Sequence, residues 1–336
     1  MSEPVSVIIC THELTPELGN LLTDILNQDY PEFEVILVND GPDDNVSALL
    51  NTLIPNHDNL RIIPFDASKK QTGGKKEPLA AGIAQAKYGW LLMTDSDCTV
   101  QKEWIQSMMN CASRKKPIVL GYGPLAPGPG IVNAISVFDT TMIAVQYMSF
   151  ALKGWPYMGV GRNLLYHRSL YDAVDGFQSH IDLASGDDDL FVQSVVNRAN
   201  VSVNLDSKSF VFSSAKESWQ TLFAQKRRHV STSSRYKWRL KTRIGLVGLS
   251  FIFAWLGGIL MITTFSAVPI GIFVIGSGVQ WAVFASITRR LNSDGEHGAG
   301  IMRFIPLYPL WAVLYALFLA RIGTLAIFGK SPATWD

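Results

Sequence analysis

Two aspartates one residue apart, Asp95 and Asp97, end an apolar run in the stretch LLMTDSDCTV. Side chains at i and i+2 off a strand share a face, so both carboxylates can turn to one ion. Mg2+ and Mn2+ take oxygen ligands and commonly bind one or two carboxylates together with phosphate oxygens. An ordinary strand running into a polar turn would look the same, so the pair alone decides nothing. A second acidic group, Asp187, Asp188 and Asp189 in SGDDDLF, precedes another apolar run. Acids favour a helix N-terminus. Taken alone the three acids read as an N-terminal cap cluster, though crowded carboxylates also raise one another's pKa. Basic residues also occur at Lys75 in GKKEPLAAG, Arg162 in PYMGVGRNLLY and Arg228 in QKRRH.

These residues need elements to position them. VSVIIC (5–10), FEVILVND (33–40) and WLLMTDSD (90–97) are short apolar runs rich in Val, Ile and Leu, and read as buried strands. Leu18, Leu21, Leu22, Ile25 and Leu26 recur at helical spacing between the first two. Buried strands alternating with amphipathic helices indicate an α/β fold with a mostly parallel sheet. Ligands of such sheets bind beyond the carboxyl ends of the strands. Thr11, His12 and Glu13 follow the first strand, Asn39 and Asp40 end the second, and Asp95 and Asp97 end the third. Carboxylates at neighbouring strand ends converge on one crevice and require a counter-charge. GYGPLAPGPG (121–130) is the clearest loop and a possible divide between two halves.

Composition adds a membrane. Of 336 residues 48% are hydrophobic, and mean hydropathy is +0.17, high for a wholly soluble enzyme. A net charge of +1 gives no reason to expect nucleic acid as a partner. Three cysteines, Cys10, Cys98 and Cys111, form no even framework and read as reduced core residues. MSEPVSVIIC lacks the basic and apolar regions of a signal peptide. Apolar runs at 244–264, 267–287 and 304–328 each have about the 20 residues that cross a bilayer as a helix. Basic residues crowd 225–243 and recur at Arg289, Arg290 and Arg303, whereas the FSAVP turn between the first two runs has no charge. The positive-inside rule then puts residues 1–235 in the cytoplasm as one domain, with 236–336 as a membrane region whose C-terminus lies outside. The basic stretch also suits a lipid-facing patch. Ile131–Leu152 is long enough to span, but Asp139 at its middle argues against that. It reads as a helix lying on the bilayer, a helix against the first span, or a plain core helix.

Taken in order, VSVIICTHE, LNQDYPEFEVILVNDGPDD and GGKKEPLAAGIAQAKYGWLLMTDSDC resemble family 2 glycosyltransferases with a GT-A fold, over roughly residues 4 to 100. The resemblance implies that Thr11, Glu13 and Asp40 hold the nucleotide, and that Lys75 is the lysine preceding the DxD pair. It implies that Asp95 and Asp97 carry a divalent cation, Mn2+ or Mg2+, with the donor diphosphate. It makes Asp187 the first acid of an ED-type pair and Asp188 the general base, Asp189 being one position away. QKRRH is similar to the QxxRW of membrane-bound members, with His229 standing where tryptophan is usual. Gln225 and Arg228 match, and Arg228 would neutralise the leaving diphosphate. Arg162 would belong to the acceptor and diphosphate pocket. The implied reaction is an inverting transfer from a nucleotide sugar, UDP-sugar by preference, to a hydroxyl of a lipid or lipid-linked saccharide at a membrane such as a bacterial inner membrane. A processive polysaccharide synthase and a polyprenyl-phosphate glycosyltransferase are alternatives. A membrane-tethered nucleotide-sugar-binding protein without turnover is an alternative of another class, for which His229 is the sole sequence feature.

Overall fold

The computed structural model describes residues 2–13, 15–41, 57–66, 68, 70, 74–196, 201–291 and 301–328. Three parallel strands form its centre: β1 (Val5–Thr11), β2 (Phe33–Asn39) and β4 (Trp90–Asp95). β3 (Leu60–Pro64) extends them on one side. On the other side lie β7 (Leu164–His167), β6 (Ile118–Leu120) and β8 (Val201–Val203), giving the order β3-β2-β1-β4-β7-β6-β8. β7 runs antiparallel to both β4 and β6, so the sheet is mixed, though mostly parallel. β5 (Cys98–Val100) and β9 (Val211–Ser213) pair as a separate ribbon.

Alternation along the central strands divides the core in two. Val5, Val7, Ile9, Val35, Leu37, Trp90 and Leu92 face one side, where helix α1 (Pro16–Leu26) buries Leu18, Leu21, Leu22 and Ile25. Thr15 caps α1 by accepting from the Leu18 amide at 3.3 Å, and Pro16 fills its first turn, where a missing N–H costs nothing. Ile8, Ile36, Val38, Leu91 and Met93 face the other side, covered by α2 (Lys76–Gln85). That second cluster continues into the apolar helices: Phe138 of α4 (Gly130–Leu152) packs on Phe284 of α9 (Ala267–Arg290) and on Tyr308, Trp311 and Tyr315 of α10 (Tyr308–Phe328).

The apolar runs form helices with shifted bounds. α8 (Trp238–Thr264) starts six residues ahead of the expected run and takes in basic residues of the flanking segment. It stops at Phe265, whose backbone is left-handed, as at many helix ends. The third helix starts at Tyr308 rather than Phe304; Pro306 lies in the preceding turn and Pro309 in its first turn. By length and composition α4, α8 and α9 are each long and apolar enough to cross a membrane. α8 and α9 leave most of their surface exposed. α4 packs against α9 and α10. The tail from 329 and most of the loop before Ile301 lie outside the described residues.

Candidate active site

Strand register assembles the site. Thr11 pairs with Asn39, Cys10 with Asp95, and Asn39 with Pro64, so the ends of four strands open on one edge. At β2, Asp40 is buried and its Oδ2 is ion-paired with Lys70. Its Oδ1 is buried with no partner among the described residues. Gly41 follows so tightly that a Cβ would stand 1.9 Å from the His12 carbonyl oxygen. The Thr11 hydroxyl is turned inward, donating to the Glu13 carbonyl at 2.6 Å. Thr11 therefore shapes the turn, and its hydroxyl is already engaged, while the Glu13 side chain is exposed beside it.

The β4 end carries the acidic pair. Ligand atoms of Asp95, Asp97 and Cys98 lie within 4.8 Å of one another. Two carboxylates at that separation are the oxygen donors that Mg2+ or Mn2+ takes, so these residues fit a divalent cation. Cys98 is buried in the core and its thiol points its weak donor at Asp97, 3.7 Å away, so the carboxylates make up the oxygen set. Burial raises the Asp95 pKa, but Lys75, then Arg162 and Arg228, outweigh it and hold the carboxyl below the ordinary range. Asp97 is exposed and is shifted the other way, by its surroundings and by the Asp95 charge.

Lys75 stands at the centre. Its ammonium lies 2.7 Å from Asp95 Oδ1 and 3.0 Å from Asp187 Oδ2, linking the two acidic groups that are far apart in sequence. Burial disfavours its charge, yet Asp187 and Asp95 more than offset this and the lysine is held well above its usual pKa. Lys75, Asp95, Asp187, Cys10 and Gly161 line one small cavity. Cys10, expected in the core, borders this cavity, and burial pushes its thiol up to about 12.

Asp188 caps α6 (Asp189–Val195), with Oδ1 accepting from the Asp189 amide at 2.7 Å and Oδ2 from the Gly161 amide at 3.0 Å. Burial, then Asp187 and Asp189 beside it, pushes its carboxyl up to about 8. Asp189 differs in kind. It points away into hydrogen bonds from the Thr232 hydroxyl at 2.6 Å and the Tyr236 hydroxyl at 2.5 Å. Those two hydroxyls tie Asp189 to residues 232–236, whereas among the described residues Asp188 accepts only from the backbone amides of Asp189 and Gly161.

Helix α7 (Trp219–Ser231) carries Gln225, Arg228 and His229. Arg162 donates twice to the Gly123 carbonyl, at 3.1 and 2.7 Å, which props its guanidinium beside the Asp95–Asp97 turn. Its neighbour Asn163 is wholly buried, bonded to Trp104, Tyr122 and Ser209, and is structural. His229 is held well below its usual pKa by surrounding atoms and by Lys226, Arg228, Arg162 and Lys75. The imidazole is therefore neutral near neutral pH, and the residue is exposed.

The sequence reading missed Lys70, Gly161 and Lys76. A signal existed for the last: Lys76 shares the i, i+3, i+7 spacing of Leu79 and Ile83, a buried helix face.

The model of the family described as Glycosyl transferase family 2 matches residues 6–174, half of the chain. The chain belongs to glycosyltransferase family 2. It is 27% identical over 101 residues to a poly-beta-1,6-N-acetyl-D-glucosamine synthase of Staphylococcus epidermidis, a match covering 30% of this chain and 23% of that protein. It is 27% identical over 122 residues to glycosyltransferase GlyG of Streptococcus pneumoniae, covering 36% and 39%. Both matches span well under half of the relative's length. The fold is that of a solved mannosyltransferase, PcManGT from Pyrobaculum calidifontis in complex with GDP-Man and Mn2+, with TM-score 0.53, 14% identity, and 97% and 87% of the two chains covered. This member of the family has a GT-A fold followed by C-terminal apolar helices.

Proposed function

We propose that this glycosyltransferase moves a sugar, with inversion, from a nucleotide-diphosphate sugar to a hydroxyl of a membrane-associated acceptor. The observation that carries the reading is Asp188: a carboxyl raised to about 8, next to a lysine that reaches the DxD pair. The buried, partnerless Asp40 Oδ1 would accept a donor N–H or O–H of the nucleoside, with Glu13 beside it. Asp95 and Asp97 would hold Mn2+ or Mg2+, which in such a site neutralises diphosphate charge. Asp188 takes the proton of the acceptor hydroxyl as that oxygen bonds to the anomeric carbon. The bond from that carbon to the diphosphate breaks on the opposite face, and its electron pair leaves with the diphosphate. Lys75, Arg228 and Arg162 supply positive charge where that charge develops. Asp187 keeps Lys75 aimed, and Gln225 and His229 border the acceptor side.

The exposed apolar helices favour an acceptor at the bilayer, a lipid or lipid-linked saccharide, with the domain up to residue 235 on the cytoplasmic face and residues 236–336 as the membrane region. Processive synthesis is the second reading, favoured by the likeness to a poly-N-acetylglucosamine synthase.

The test is nucleotide release from UDP-, GDP- and dTDP-sugars by the full chain in native-lipid nanodiscs, beside Asp97→Ala and Asp188→Asn. Release of one nucleotide, lost in both variants, is expected. Full release by Asp188→Asn would remove the base assignment.

A further inference from the structure

We infer that Lys76, which the reaction above does not use, is a positioning residue that sets the general base by holding the loop leading to it. The inference rests on the role proposed for Asp188. Lys76 opens α2 and is fully buried. Its ammonium donates to the carbonyls of His180 at 2.7 Å, Ser185 at 2.9 Å, and Leu183. Three acceptors use all three protons of the ammonium. All three belong to one stretch, which runs straight into Gly186, Asp187 and Asp188.

The residues around Lys76 press on the same loop. A Cβ on Gly74 would stand 2.6 Å from the Ala184 carbonyl oxygen, so bare backbone meets backbone there. Lys75 pairs with Asp187. Gly186 turns with φ +110, and a Cβ on it would stand 2.9 Å from Leu190 and 3.1 Å from His180. Residues 74–76 thus seat residues 180–187 from below, and the base follows at the next position. A buried ammonium is costly unless each proton is bonded, and an alkyl side chain would fill the volume without that cost. What an alkyl chain cannot do is keep three carbonyls turned inward. Without the donors they would turn toward water, and the loop would carry Asp188 off its line to the acceptor. A shift of about 1 Å at a reacting group can cost roughly 10²-fold in rate.

The test compares wild type with Lys76→Met and Lys76→Gln as full chains in nanodiscs. Donor turnover, UDP binding and amide hydrogen exchange are measured. The expected result is a kcat lower by roughly 10²-fold, unchanged KM for donor and unchanged UDP affinity, with faster exchange confined to 180–189. Lys76→Gln, which keeps a donor, should fall between, and it carries the test alone if Lys76→Met does not fold. An unchanged kcat, or kcat and UDP affinity lost together with faster exchange throughout, would overturn the inference. Wild type that turns over no nucleotide sugar would instead overturn the transfer reading, and the exchange comparison would still decide whether Lys76 holds the loop.

Discussion

Asp139 and Lys226 form a buried ion pair between α4 and α7. The aspartate that argued against a spanning helix is therefore ion-paired inside the protein. Lys226 sits between Gln225 and Arg228 on the helix that borders the site, so the pair fixes that helix to the apolar bundle. Removing one partner leaves the other charge buried and alone, which typically costs about 3–5 kcal/mol. Asp139→Ala is expected to lower the thermal unfolding midpoint sharply in nanodiscs. Asp139→Leu combined with Lys226→Met should recover most of the loss. Equal destabilisation by the single and double variants would mean that the pair is not what holds the helix.

The Asp188 carboxyl gives a pH dependence with a definite sign. Its folded pKa of about 8 lies far above that of an unfolded aspartate. A base works only as the carboxylate, so kcat/KM should fall on the acid side of about pH 8 rather than near pH 4. Stability runs the other way. Between the two pKa values the folded chain holds a proton that the unfolded chain has released, so stability drops as pH rises through that window. Asp188→Asn is expected to be inactive and yet more stable than wild type at pH 8, with the gap closing below pH 4. A pH–rate profile flat from 5 to 9 would contradict the assignment.

Gly161 offers a substitution that adds a single methyl group. Its amide donates to Asp188, and a Cβ would stand 3.0 Å from the Lys75 ammonium and 3.1 Å from Asp187 Oδ2. Gly161→Ala should leave the fold intact but push the lysine and the acid apart. A loss of roughly 10–100-fold in kcat with little change in melting temperature is expected. Wild-type kcat in this variant would show that the Lys75–Asp187 contact has slack.

Much of this was legible in the sequence for a local reason. β1, β2 and β4 are apolar runs closed by polar residues, and in a parallel sheet those closings meet at one edge. That pattern puts Asp95, Asp97 and Asp40 at the shared edge, while the roles proposed for them come from the family resemblance. Strands β6 to β9 were not legible. They are three or four residues long, and their pairing depends on partners distant in sequence. The Asp188–Asp189 distinction was equally hidden, because Thr232 and Tyr236, which engage Asp189, lie more than forty residues away. The sequence spacing of three successive acids carries no sign of which one is already bonded.

The two DxD carboxylates should respond differently to mutation. Asp95 is already bonded to Lys75, so Asp95→Ala removes a proposed cation ligand and also releases the lysine from one of its two acids. Asp97 is exposed, and its nearest charged neighbour among the DxD pair repels it. Among the described residues its carboxylate has only a weak thiol donor, Cys98 at 3.7 Å, so a bound cation would be its main partner. Asp97→Ala is therefore expected to weaken Mn2+ binding by at least the roughly 10–100-fold that loss of an outer-shell partner costs, while leaving Lys75 in place. Asp95→Ala should show the same loss together with a weaker hold on Asp187. Mn2+ titration followed by electron paramagnetic resonance reads binding without any need for turnover. Chelation should stop nucleotide release by wild type, and added Mn2+ should restore it. Mn2+ affinity equal to wild type in Asp97→Ala would move the cation away from this pair.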